Sequence, residues 1–303
     1  MGIDISKKTL DVYVSGTNKI KQYLNSEAGI SALIMDYEVA PDLVVCEATG
    51  GYERLLMKKI IEYGWSISLV SPRQVRDFAR AKGILAKNDS IDAKLLSEFG
   101  KIMSPAPAEY HVCEHLSDLL RRREQLVDLI KKEKQHLDKS IDQNIIQDIK
   151  EHILFMEQQK DKMDLEIQQG LASDTKIKER VDILESIKGV GKQTSALLAV
   201  FMPELGSATH SQVTALAGLA PFSYESGKFK GKRHIRGGRK RVRNALYMAS
   251  LSAIQFNPDI KSFYQGLKER QKPFKVAITA TMRKLLKIIN ALIKNNRKWS
   301  SPK

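Results

Sequence analysis

Four carboxylates and one hydroxyl are the residues of this chain whose types and spacing could do chemistry. Asp4 stands between Ile3 and Ile5, and because side chains alternate along a strand it faces away from both. Glu47 directly follows the apolar run Leu43-Val44-Val45-Cys46, at what reads as the C-terminal end of a buried strand. In open α/β sheets, ligand sites collect at that edge. Asp89 and Asp92 are three residues apart in a stretch of helical character, so both project from one face. Like charges held together cost free energy unless a cation neutralises them. Two Mg²⁺ ions about 4 Å apart could then clamp the attacking and leaving oxygens of a phosphodiester. Ser226, just before Gly227, is a hydroxyl among cations, surroundings that stabilise an alkoxide and a pentavalent phosphoryl transition state alike. Taken singly, each residue has a plainer role: Asp4 as a turn cap, Glu47 as a helix N-terminal charge, Asp89 as an N-cap followed by a surface Asp92. Ser226 is then a turn residue, with Ser223 as a nearby competitor.

The elements that must position these groups are legible around them. Gly2–Ser6 and Leu10–Val14 alternate apolar and polar residues about a Lys7-Lys8-Thr9 turn, the pattern of a β-hairpin. Residues 27–37 read as a helix. Leu43–Cys46 reads as a central strand ending in the turn Glu47–Gly51, followed by a helix to about Tyr63. Ser66–Val70 is a further strand, stopped by Ser71-Pro72, and helices follow until Pro105 and Pro107 mark a boundary. This makes residues 1–110 an α/β domain. From Cys113 to Gln169 there is no proline or glycine. Leu116, Leu119, Leu126, Ile130 and Leu137 fit an a/d seam, which Ile145, Ile149, Met156, Met163 and Ile167 continue after a phase slip near Ser140–Asn144. Residues 111–172 are thus two long helices or an interrupted coiled coil, either an oligomerisation arm or a plain hairpin. Gly170–Lys176 reads as a linker, and 173–303 as a mostly helical C-terminal domain.

Charge separates the two ends of the chain. Lys and Arg number 50 against 35 Asp and Glu, a net of +15, but residues 226–303 hold 21 of the basic residues and only Asp259 and Glu269 as acids. A field that one-sided favours a polyanion along the C-terminal part. Ile183–Ala196 reads as helix, tight Gly189-Val190-Gly191 turn, helix. In such a hairpin Lys188, Gly189, Gly191 and Lys192 could contact a phosphate backbone, although an ordinary αα-hairpin has the same pattern. Residues 226–243 hold nine Lys/Arg and no acid: Lys228, Lys230, Lys232, Arg233, Arg236, Arg239, Lys240, Arg241 and Arg243. Four glycines there forbid a continuous helix, leaving a loop or ribbon able to follow phosphates. Cys46 and Cys113 have no partner at metal-ligand spacing, which argues against a disulfide scaffold or a zinc module. No apolar run approaches a membrane span and no leader pattern opens the chain, so a soluble cytoplasmic protein is expected.

Gly2-Ile3-Asp4-Ile5-Ser6-Lys7, Glu47-Ala48-Thr49-Gly50-Gly51-Tyr52, Ser71-Pro72-Arg73-Gln74-Val75-Arg76 and Asn88-Asp89-Ser90-Ile91-Asp92-Ala93 occur in this order. Together they resemble the N-terminal domain of the DEDD transposases of bacterial insertion sequences, the IS110 family, to which Piv-type DNA invertases are related. Leu216-Ala217-Gly218-Leu219-Ala220-Pro221, the Ser226-Gly227 pair, the basic glycine-rich run and Arg243-Asn244-Ala245-Leu246-Tyr247-Met248-Ala249 resemble that family's C-terminal domain. The resemblance implies an RNase H/RuvC-like catalytic domain with Asp4, Glu47, Asp89 and Asp92 as ligands of Mg²⁺, in a two-metal site where Mn²⁺ can substitute. It also implies Ser226 as the nucleophile of a recombinase acting on donor and target DNA, with a structured guide-type non-coding RNA as partner; the helical segment, read as an oligomerisation arm, adds the expectation of a homodimer or tetramer. An invertase of the same family and a metal-dependent junction endonuclease are the alternatives. Only three residues precede Asp4, fewer than the family's first strand usually has.

Overall fold

A computed structural model describes residues 1–17, 19–37, 39–84, 89–108, 114–222, 225–226, 229–230 and 234–300, with the backbone alone at 89, 90, 114, 225, 226, 229 and 230. The chain divides into two compact units, Met1–Val112 and Cys113–Lys303. No helix among the described residues is long and apolar enough to cross a membrane.

The first unit is a five-stranded sheet with helices on both faces. Its elements are β1 (Gly2–Ile5), β2 (Thr9–Tyr13), β3 (Ile20–Leu24), α1 (Glu27–Met35), β4 (Val44–Glu47), α2 (Arg54–Glu62), β5 (Ile67–Val70), α3 (Pro72–Ala81) and α4 (Asp89–Met103). Strand order is β3-β2-β1-β4-β5: an antiparallel meander of the first three strands, then β4 and β5 parallel to β1. The expected β1–β2 hairpin is present; Ile5 pairs with Leu10, and Ser6 N–H donates to the Thr9 carbonyl, so Thr9 belongs to the strand and not to the turn. The third strand was not legible: Ile20-Lys21-Gln22-Tyr23-Leu24 is largely exposed, so an edge strand leaves no alternation of burial to read. The two faces follow the strand period. Ile3, Ile5, Leu10, Val12, Val44, Cys46 and Ile67 pack with Ile30, Leu33, Leu56 and Ile60 of α1 and α2. Val45 and Val70 pack with Val75, Ala79, Leu95, Leu96 and Phe99 of α3 and α4. The strand before Asp4, though short, is well held: Val45 N–H donates to the Met1 carbonyl (2.9 Å) and the terminal ammonium to the Leu43 carbonyl (2.9 Å).

The second unit is helical. α5 (Glu114–Leu137) and α6 (Gln143–Ser173) form an antiparallel hairpin, and the expected seam residues Leu126, Ile130, Ile149 and Met156 are buried between them. Arg123–Asp164 and Lys134–Glu157 ion pairs flank that seam. Asp142 caps α6 by accepting from Asn144 and Ile145 N–H, which explains the phase slip as a helix boundary. The expected linker at Gly170–Lys176 is helix instead. α6 continues to Ser173 because Gly170 lets it approach Leu116, and Asp174 alone separates it from α7 (Thr175–Glu185). α8 (Lys192–Phe201) and α9 (His210–Leu216) follow, then four two-residue strands: β6 (Pro221–Phe222), β7 (Glu225–Ser226), β8 (Phe229–Lys230) and β9 (His234–Ile235). α10 (Lys240–Phe256), α11 (Pro258–Glu269) and α12 (Phe274–Lys294) complete the unit. Leu116, Leu119, Leu120, Ile167 and Leu171 at the base of the α5–α6 hairpin share one core with Leu184, Leu198, Leu246, Leu285 and Leu286.

Candidate active site

Strand register brings the first two acids together. Ile3 pairs with Cys46 in parallel ladder, so Asp4 and Glu47 occupy the next positions on neighbouring strands, both at C-terminal ends. Two residues earlier, Gly2 and Val45 face α4, and the same face therefore carries both acids. Gly2 matters here: a Cβ on it would lie 2.2 Å from the Ala93 carbonyl oxygen and 2.3 Å from Ser97 N–H nitrogen. Only glycine lets α4 cross β1 this closely, and the crossing places Asp92, one residue before Ala93, over the acid edge. Glu47 and Asp92 line one cavity of about 260 Å³ with Pro72, Val75, Arg76 and Leu95. Asp4, Glu47 and Asp92 are half-buried, and each makes polar or electrostatic contacts. Asp89 opens α4, three residues before Asp92, and its side chain lies outside the described residues.

Carboxylate oxygens are the chemistry a hard divalent cation takes, and among the described residues no thiol or imidazole lines the cavity. Among the described residues no three His, Cys, Asp or Glu side chains form a ready metal-binding group. Glu47 and Asp92 at one cavity, with Asp4 at the adjoining register position, nonetheless suit such an ion.

Three residues at this edge were not singled out from sequence. Glu53 is buried at the start of α2, where its carboxylate accepts from Thr49 N–H (3.1 Å), Thr49 hydroxyl (2.6 Å) and Gly51 N–H (2.8 Å). Burial alone would push its carboxyl up, but the hydrogen bonds from Thr49 and the backbone N–H groups outweigh this and hold it below its ordinary value. Glu53 thus ties down the turn leaving Glu47, and an acid two residues after the Gly50-Gly51 pair, at a helix start, was the available signal. Asp11 is the cross-strand partner of Asp4 and accepts from Gln22 Nε2 at 2.9 Å. The alternation Leu10-Asp11-Val12 already put it on that face. Arg76 brings a cation to the cavity of Glu47 and Asp92. Beside the acids, burial pushes the Cys46 thiol up to about 12, so it is an inert core group.

In the second unit, the segment around Ser226 is a ribbon. Pro221 and Phe222 pair with Ile235 and His234, and inside them Glu225 and Ser226 pair with Lys230 and Phe229. The side chains of Ser226 and Lys230, together with residues Ser223, Lys228, Lys232 and Arg233, lie outside the described residues. The base of the ribbon rests on two glycines back to back. Gly218 (φ +67) and Gly238 (φ +66) approach so closely that a Cβ on Gly238 would sit 2.1 Å from Gly218 nitrogen. This gives the Gly218 and Gly237-Gly238 motifs a packing role.

The basic run is not uniformly available. Arg239 makes a two-pronged pair with Glu204 (2.7 and 2.5 Å) and donates to the Phe201 carbonyl. Arg241 pairs with Glu124 and lies over the Phe201 ring at 4.8 Å. Arg243 donates to the Gly237 carbonyl at 2.7 Å. Arg236 and Lys240 are exposed and have no carboxylate partner among the described residues. The expected helix, turn, helix at 183–196 is present as α7 and α8, with Ile187 and Val190 buried beneath the turn and Lys188, Gly191 and Lys192 exposed.

Residues 1–146 match a transposase family of the DEDD type, and residues 181–265 match the transposase family IS116/IS110/IS902. The chain is 29% identical to the pilin gene-inverting proteins of Moraxella bovis and Moraxella lacunata over 313 aligned residues, covering 98% of this chain and 96% of each relative. It is 26% identical over 121 residues, 39% of this chain and 30% of the other, to the insertion element IS110 43.6 kDa protein of Streptomyces coelicolor.

Proposed function

Because the chain belongs to the IS110-type DEDD transposases, enzymes that recombine DNA, we propose that it cuts and rejoins DNA through the acid edge of the first unit and Ser226 of the second. The observation that carries this reading is the placing of Asp4 and Glu47 at adjoining register positions on β1 and β4, with Glu47 and Asp92 of the first turn of α4 lining one cavity. The strand order β3-β2-β1-β4-β5 supports an RNase H/RuvC-like domain. A DEDD domain implies dependence on a divalent metal. Asp4, Glu47, Asp89 and Asp92 would hold Mg²⁺, which supplies charge neutralisation at the phosphoryl oxygens.

The chain's own groups then act as follows. Cations of the ribbon and its flank, Lys228, Lys230, Lys232, Arg233, Arg236 and Lys240, bind phosphates and orient the strand. The Ser226 Oγ attacks phosphorus; an Oγ–P bond forms as a P–O bond to one deoxyribose breaks, and the departing sugar oxygen takes up a proton. Attack of another strand's hydroxyl on the phosphoserine reverses the exchange, so bond energy is conserved without hydrolysis. The α7–α8 turn, through Lys188, Gly189, Gly191 and Lys192, contacts the backbone independently of sequence. Arg239, Arg241 and Arg243, held by intramolecular partners, shape the ribbon's base. A guide-type RNA fits the excess charge after residue 225, and the α5–α6 hairpin is the element for dimer or tetramer assembly.

DNA inversion is a second reading within the same chemistry. It is favoured by full-length similarity to proteins named for inverting a pilin gene. The test is a denaturing gel of labelled donor DNA incubated with protein, Mg²⁺ and the element's flanking RNA, comparing wild type with Ser226→Ala. A protease-sensitive protein–DNA adduct lost in the variant is expected. Free nicked product from both proteins would mean a metal-dependent endonuclease with a structural serine.

A further inference from the structure

The chain's last described turn returns to the α7–α8 hairpin and adds cations to it. α12 ends in a Schellman motif: Asn296 is left-handed (φ +48), Asn296 N–H donates to the Ile293 carbonyl (3.1 Å) and Arg297 N–H to the Leu292 carbonyl (3.0 Å). The reversal carries Arg297-Lys298-Trp299 back along the domain. There Trp299 N–H donates to the Ser186 hydroxyl oxygen at 2.8 Å, and that hydroxyl donates to the Ile183 carbonyl at 2.6 Å. The Trp299 ring is half-buried against the helical core, with the Lys188 ammonium 5.9 Å from its centroid. Lys188, Lys294, Arg297 and Lys298 are all exposed, and residues 294–300 contain no acid.

We propose that this pinned tail is the second half of a duplex-DNA backbone site, with Arg297 and Lys298 binding phosphates beside Lys188. The proposal rests on the reading of the α7–α8 turn as a DNA contact, and extends it to residues outside the hairpin. Trp299 is the positioning residue. A free tail would lose entropy on binding, whereas one already held by a ring contact and a backbone hydrogen bond presents its charges in place. The two hairpin lysines are not equivalent. Lys192 lines a cavity that also carries Asp164, Asp182 and Glu185, so its charge is countered, while Lys188 faces the tail. Duplex DNA is the partner because the enzyme's family acts on it and because regularly spaced phosphates suit a rigid row of cations.

The experiment is the salt dependence of binding of a non-specific 25-base-pair duplex to the full-length protein, by fluorescence anisotropy. Each lost phosphate contact lowers the log–log slope by about 0.9, on the order of tenfold in affinity near 0.1 M salt. Arg297→Gln/Lys298→Gln should lower the slope by about two contacts. Both side chains are exposed, so folding is preserved. Trp299→Ala, which removes no charge, should lower it similarly, and Trp299→Phe should restore it. Wild-type slopes in the double variant overturn the proposal, as does a change seen only on a structured RNA of equal charge. Lys188→Gln tests the hairpin separately: an unchanged slope there, with a lowered one in the double variant, removes the hairpin reading and leaves the tail contact standing.

Discussion

Asp4, Glu47 and Asp92 sit on elements fixed by burial, whereas Ser226 sits on a ribbon whose described side chains, Pro221, Phe222, His234 and Ile235, are all exposed. Around the acids, Ile3, Val44 and Cys46 are fully buried, α4 is pressed onto Gly2, and Glu53 gathers the donors of the following turn. Around the serine there are two ladders of two residues each, anchored at Gly218 and Gly238. The contrast follows from charge. On the proposed reading the carboxylates share a cation; like charges repel one another until it binds, so such a site needs a fold that holds them in place beforehand. A neutral hydroxyl carries no such repulsion, and a ribbon with cationic flanks can complete its contacts on the nucleic acid itself.

The largest effects should separate the two regions by what each substitution removes. Asp4→Asn, Glu47→Gln and Asp92→Asn are each expected to lower strand exchange by about a thousandfold, the several kcal/mol a metal contributes to transition-state charge. They should also weaken Mg²⁺ or Mn²⁺ binding in calorimetric titration. Ser226→Ala should abolish the covalent adduct and leave metal affinity unchanged. If Ser226→Ala also weakened metal binding, the division of labour between edge and ribbon would be wrong.

The scaffolds themselves can be compared through their glycines. Gly2→Ala forces a methyl to within 2.2 Å of the Ala93 carbonyl oxygen, and Gly238→Ala places one 2.1 Å from the Gly218 nitrogen at a left-handed φ. Each should cost about 1–3 kcal/mol in thermal or denaturant unfolding. Metal affinity should fall only for Gly2→Ala, since only α4 carries Asp92. Equal metal affinity in the two variants would show that the α4 crossing does not position the site.

Legibility followed the same division. The strands bearing Asp4 and Glu47 could be read because burial imposes a period: an apolar run or an alternation leaves a mark on composition. The edge strand β3 and the ribbon strands could not, because exposed residues such as Gln22, Phe222 and Ile235 answer to no buried face. The acids were named from motif order, but the adjoining positions of Asp4 and Glu47 and the place of Asp92 at the cavity depend on the Ile3–Cys46 register and on the close approach of Gly2 to Ala93, which are tertiary facts. Arg239 and Arg241 looked like part of a uniform cationic run. Their carboxylate partners, Glu204 and Glu124, lie 35 and 117 residues away, beyond the reach of local pattern. The supposed linker at 170–176 failed because a glycine was read as a breaker where it lies inside a helix, packed against Leu116.

The smallest effect sharpens the comparison through pH. Glu53 in the first unit and Asp164 in the second are carboxyls shielded from solvent and held below their ordinary values. At Asp164 burial pushes upward, and hydrogen bonds from Arg123 and Gln193 with the nearby Arg123 and Lys160 charges outweigh it. A carboxyl whose folded pKa is depressed stabilises the native state above its unfolded pKa, near 4. That contribution is lost as pH falls through the folded value. Glu53→Gln and Asp164→Asn should therefore each lower stability at neutral pH by about 1 kcal/mol, the difference between charge-assisted and neutral hydrogen bonds. Each should converge on wild type at acid pH. Followed by calorimetric melts from pH 7 to pH 3, only Glu53→Gln should also weaken metal binding at pH 7, because its turn leads out of Glu47. A metal affinity that responds to Asp164→Asn instead would place the support of the acid edge in the wrong unit.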